Sequence, residues 1–199
     1  MDASRTYERS GAAVVALLLI QVCIGYEWLV SGLTKIVHGD FPADLAAELR
    51  DMSKAAPAWY RSFLDGAVIP HAAAFGYAIE VAEVAVGIVL LVAVLRLPGR
   101  LGRYLPAVTV AALVVGVVLA VNFALANGSS FGLGLASDSF DEGIDLDTLL
   151  VGLQLGLLVF ALAGVRRQVA TSNSRRTSFS DMRSWLSSRQ PTINGVGKP

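Results

Sequence analysis

Charge is scarce in this chain: Asp, Glu, Lys and Arg make up only 16% of its 199 residues, and sixteen basic side chains offset sixteen acidic ones. Soluble domains carry about 25% charged residues. With 54% hydrophobic residues and a mean hydropathy of +0.59, the composition excludes a soluble domain and indicates an integral membrane protein. Cysteine is scarcer still. Cys23 is the only one, which rules out an intramolecular disulfide, a dithiol relay or a cysteine-cluster metal site within the chain. There are two histidines, His38 and His71, on either side of one loop segment. They could ligate haem or a metal only by turning into a common cavity, so neither group is expected. No glycine-rich phosphate loop follows a strand pattern and no internal repeat is visible, so no nucleic-acid or nucleotide partner is expected.

What the sequence has in abundance is long apolar runs. Residues 11–35, 72–95, 104–126 and 148–165 each approach or exceed the length a helix needs to cross a bilayer. The expected fold is all-α: a polytopic four-helix membrane bundle. The first run has no small-residue cleavage site after a short apolar core and is expected to be an uncleaved anchor. Between the first two runs, Leu45, Leu49 and Met52 fall on one side of a helix that Asp44 could cap, and Pro57 opens a second short segment with Trp59, Tyr60 and Phe63. This segment predicts a small helical cap on the membrane. Residues 1–10 read as a polar N-terminus, 11–165 as the membrane domain and 166–199 as a basic, mostly disordered tail.

Orientation follows from the basic residues. Twelve of the sixteen fall on the side holding both termini and the loop 96–103, whereas the 36–70 segment has five acids against three bases and the 127–147 loop has five acids and no base. By the positive-inside rule the termini are cytoplasmic and the cap is extracytoplasmic. In the tail, Phe179, Met182, Trp185 and Leu186 recur at helical spacing beside Arg183 and Arg189, which reads as an interfacial helix on anionic lipid or a partner-docking segment, or else as an ordinary solvated tail. The acidic loop lacks the spacing of an EF-hand and reads as solvated charge.

Polar residues inside the spans call for a function. On the first span, Gln21, Gly25, Trp28, Gly32 and Lys35 follow one stripe, while Glu27, Ser31 and Thr34 form an adjacent polar face. On the second, Glu80 and Glu83 share a face. At about 1.5 Å per residue, Glu27, Glu80 and Glu83 come to overlapping depths in the extracytoplasmic half, with Gln154 and Asn122 near them. If these faces meet, they form an acidic pocket able to take up and release a proton. Quinone chemistry couples electron and proton transfer, and Trp28, Tyr26 and Tyr77 are candidate ring-packing neighbours, with Lys35 beside them. The competing reading makes the carboxyls hydrogen-bonding staples, or pairs them with Lys35 or with a base on another subunit. The Gly152-x-x-x-Gly156 spacing in the fourth span permits close helix approach.

The stripe of Gln21, Gly25, Trp28, Gly32 and Lys35, with Glu83 and Gly87 of the second span and the four-span layout, resembles the DoxX/DoxD-like membrane proteins over residues 12–165. The family usually has Arg where this chain has Gln21. The resemblance implies a four-helix bundle linked to quinone-dependent sulfur oxidation or to thiol and oxidative-stress complexes. The expected function is therefore the membrane subunit of a quinone-linked redox complex that works with other subunits, with Glu27, Glu80 and Glu83 as catalytic carboxyls, and is not catalytic alone. The alternative is a non-catalytic accessory or assembly subunit of a respiratory or envelope complex, held to its partner by the small-residue stripe. A small proton-coupled carrier is weaker, since four helices without inverted repeats offer little alternating-access machinery. High Ala, Val, Gly and Arg usage suggests a bacterial plasma membrane.

Overall fold

The computed structural model describes residues 3–95, 99–128 and 146–166, all but a few of them helical. The helices are α1 (Ala3–His38), α2 (Phe41–Met52), α3 (Ala58–Phe63), α4 (Ala72–Val94), α5 (Gly99–Ala126) and α6 (Leu146–Arg166). Four stretches are long and apolar enough to cross a membrane: Gly11–His38, Ala58–Val94, Tyr104–Ala126 and Leu146–Arg166. The fold is an all-α polytopic bundle. The acidic loop, apart from its last residues, and the tail with its candidate interfacial helix lie outside the described residues. The chain divides into a compact unit of residues 1–161 and a second of 162–199, of which 162–166, the end of α6, are described.

Each span turns large apolar side chains outward. Val15, Leu19, Val81, Ile88, Val118 and Val159 are all exposed, an arrangement water would penalise and hydrocarbon does not. Inward, Ile24, Trp28, Val86, Leu90, Leu113 and Leu157 form the bundle core. The tightest seam is between antiparallel α1 and α4, where glycines remove the side chains that would keep the backbones apart. A Cβ on Gly87 would lie 2.6 Å from the Leu29 nitrogen, and one on Gly32 would lie 2.9 Å from the Glu83 Cβ. Gly152 and Gly156 have nothing within 4 Å, so the close approach their spacing permits is not made among the described residues.

The cap is built at the end where α1 finishes and α4 begins. Gly39, at φ +79°, ends α1 in a left-handed conformation that L side chains rarely adopt. Helix α2 starts at Phe41, with Asp40 at its N-cap, four residues before the expected cap Asp44, and Asp40 makes no side-chain capping bond. Pro42 accounts for the earlier start, since a first-turn proline lacks only an N–H that has no intrahelical partner. Leu45 and Leu49 are buried as their spacing predicts, and Gly76 of α4 packs directly against Pro42. Arg61 closes the turn after α2, donating to the carbonyls of Ser53, Lys54 and Ala56 at 2.9, 2.6 and 3.2 Å. From α3 the chain runs into α4 through a wide π turn, Leu64–Val68, and a tight 3₁₀ turn, Ile69–His71, a change of pitch that accommodates Pro70 without breaking the path.

The glycine seam yields a contrast in detergent. Gly87→Leu should cost about 3 kcal/mol, the upper end of what overpacking typically costs, whereas Gly152→Leu should change unfolding in an SDS titration by well under about 1 kcal/mol. Equal losses would mean that α1 and α4 are not in close contact.

Candidate functional site

The stripe Gln21, Gly25, Trp28, Gly32 and Lys35 faces inward, and every member is used. Gln21 Nε2 donates to the Leu90 carbonyl at 2.8 Å. Trp28 Nε1 donates to Gln154 Oε1 at 3.1 Å, and Gln154 Nε2 donates back along α6 to the Leu150 carbonyl at 3.2 Å. Gly116 of α5 leaves the space in which that pair sits. One turn nearer the cap than Gly32, the Lys35 ammonium spends its three hydrogens on Glu83 Oε1 at 2.8 Å, Glu83 Oε2 at 2.7 Å and Ser31 Oγ at 2.8 Å. Phe41 and Phe123 present their rings to the same ammonium, at 5.2 and 5.7 Å from their centroids.

Glu83 is wholly buried, while the Lys35 side chain keeps 20% exposure. That exposure opens into a cavity of about 410 Å³ between α1 and α2, lined by Lys35, His38, Asp40, Phe41, Asp44 and Glu48 among others. One turn toward the cap from Glu83, Glu80 is 5% exposed, and its Oε1 has no hydrogen-bond partner. The site therefore sets two buried carboxyls against one ammonium, with one carboxylate oxygen left over. A second cavity of about 220 Å³ lies under the cap, lined mainly by apolar side chains including Ile79, Phe75 and Leu119. Its polar members are Tyr60 and Asn122, joined by a 2.9 Å hydrogen bond from the phenol to the amide oxygen. Leu45 lines both cavities, and Phe123 lies in the wall of the second.

Several expected members do not gather here. The contacts of Gly25, Gly32 and Gly87 set α1 against α4 so that Glu27 lies level with Val89, roughly 9 Å deeper than Glu83. Glu27 is exposed, on the outer side of α1, and forms no pocket with Glu80 and Glu83. The adjacent polar face also divides, because Ser31 turns inward to Lys35 while Glu27 turns outward. Tyr26 and Tyr77 are each 63% exposed and lie roughly 20 Å apart along the bundle, so they cannot flank one ring. Trp28 is buried, but as the partner of Gln154. Among the aromatics, Phe41, Phe123 and Tyr60 hold the positions expected of those three. Phe123 follows Asn122 at the end of an uninterrupted apolar run, which gave no cue to its role.

His38 contacts the Thr34 carbonyl through Nδ1 at 2.7 Å, and His71 is exposed in the 3₁₀ turn. Among the described residues no three His, Cys, Asp or Glu side chains converge as a metal site.

Comparison with protein-family models, curated proteins and solved structures finds no match. The site must be read from its own chemistry.

That chemistry begins with an ion pair whose loss is asymmetric. Lys35→Met leaves Glu83 buried without its counter-charge and should cost about 3 to 5 kcal/mol. Lys35→Met with Glu83→Leu should recover most of that loss. A double-mutant cycle from unfolding in detergent measures the coupling, and near-additive losses would deny a direct pair.

Proposed function

We propose that this chain is the membrane subunit of a redox complex in a bacterial plasma membrane, akin to the DoxX/DoxD-like proteins. In this reading Glu80 and Glu83 form its proton-exchanging site and a quinone is the redox partner. The carrying observation is the spare carboxylate oxygen: Glu80 Oε1 is buried, beside an ion pair already satisfied by Lys35, and has no partner of its own. A proton added there breaks no hydrogen bond of the fold. At Glu83 the same event would loosen both contacts to Lys35. Glu80 is thus the exchanging group, and Glu83 with Lys35 holds the local charge in place.

The lining of the cavity under the cap suits a quinone in kind, being apolar and aromatic with one hydroxyl and one amide at its wall. Phe75, Ile79, Leu119 and Phe123 would hold the ring or its tail, with Tyr60 and Asn122 as the polar contacts. The quinone, when bound, supplies the electron-accepting chemistry. Lys35 lines the wider cavity by α2 and donates to Glu83, so in this reading the route from the cap side runs past its ammonium to the carboxyl pair, neither member of which lines that cavity. The basic residues of the 96–103 loop and the tail support cytoplasmic termini, which puts this route on the extracytoplasmic face. The basic tail suits anionic lipid on the other face.

The accessory-subunit reading draws on a different observation, the complete pairing of Lys35 with Glu83 and of Trp28 with Gln154, which would serve as well to lock a passive bundle. Glu80→Gln separates the two. Membranes containing the complex should lose roughly 10²-fold in quinone-reduction rate with this variant, at an unchanged thermal midpoint of the purified chain. An unchanged rate would leave the carboxyl structural and favour the accessory role.

A further inference from the structure

The outward face of α1 presents Leu19, Cys23, Tyr26, Glu27 and Val30. Any stretch of about 20 residues that crosses the bilayer within Gly11–His38 includes Glu27. Its carboxyl is exposed there, with no hydrogen bond or ion pair to any described residue. A carboxyl turned to hydrocarbon has lost water without gaining a partner, and intramembrane ionisable groups otherwise face protein, as Glu80 and Glu83 do here. The glycine stripe is consumed by α4, so the outer face is the one α1 has left.

We infer that this face is an interface for a transmembrane helix of a different chain, one presenting a lysine or arginine at the depth of Glu27. Charge complementarity selects that occupant over a second copy. Among the described side chains, Lys35 is committed to Glu83, and Arg50, Lys54, Arg61 and Arg166 lie in the cap or at a helix end. Among its described side chains, a second copy would therefore bring no uncommitted lysine or arginine to the depth of Glu27. The inference needs the chain to lie in a membrane and is independent of any chemistry at Glu80.

Cys23, one turn before Glu27 and the only cysteine, reports contact at this face. The full-length protein is reconstituted in phosphatidylcholine vesicles with synthetic Leu/Ala transmembrane peptides that carry one central lysine. A single cysteine lies one turn before the lysine or one turn after it, and mild oxidation then traps neighbours as mixed disulfides. Relative to peptides with leucine in place of the lysine, the trapped yield should rise roughly 3- to 10-fold, as an interhelical polar contact allows. Glu27→Gln, a change outside the core, should return it to the leucine level. Equal yields for the lysine and leucine peptides, or a lysine preference that survives Glu27→Gln, would overturn the inference. So would a Cys23–Cys23 disulfide forming without peptide at high lipid-to-protein ratio, since the face would then belong to a second copy.

Discussion

The close approach of α1 to α4 is the constraint on which the rest of the structure depends. It requires no side chain at Gly25, Gly32 and Gly87, because at each a Cβ would press on the opposing helix. Association of helices in lipid relies on such packing, since apolar side chains gain little by leaving one hydrocarbon environment for another. The seam also sets register. Once Gly32 lies beside Val84 and Gly87 beside Leu29, Lys35 must arrive at Glu83 and Gln21 at the carbonyl of Leu90.

The polar interior then falls into two tiers. The deeper one joins α1 to α6 through Trp28 and Gln154, in space left by Gly116 of α5, so that one hydrogen bond draws on three helices. The shallower one is the Lys35–Glu83 pair with Glu80 beside it. A buried ion pair is a weak source of net stability, because desolvation of the two charges cancels much of their attraction. Its consequence here is geometric: three donated hydrogen bonds hold the ammonium beside Glu83, leaving Glu80 with an oxygen that nothing occupies. The cap bears directly on this tier. It supplies Phe41 to Lys35, Pro42 to Gly76 and Tyr60 to Asn122, and both cavities lie along its underside.

From the sequence alone came the class, the four spans, the cap with its Leu45 and Leu49 face, and the stripe that turns out to face inward. These follow from length, hydropathy and the 3.6-residue period, which are local properties and need no partner to be read. Tertiary structure decided which polar residues share a site. Depth counted along separate helices put Glu27 beside Glu80 and Glu83, but the rotation of each helix and its register against the next are set by where a Cβ is missing on the other side. The Gly87–Leu29 and Gly32–Val84 contacts therefore moved Glu27 deeper and outward, turned Ser31 inward, separated Tyr26 from Tyr77, and gave Lys35 to Glu83. They also left Glu80 inside the bundle and Glu27 on its surface, each with a carboxyl oxygen that has no partner among the described residues.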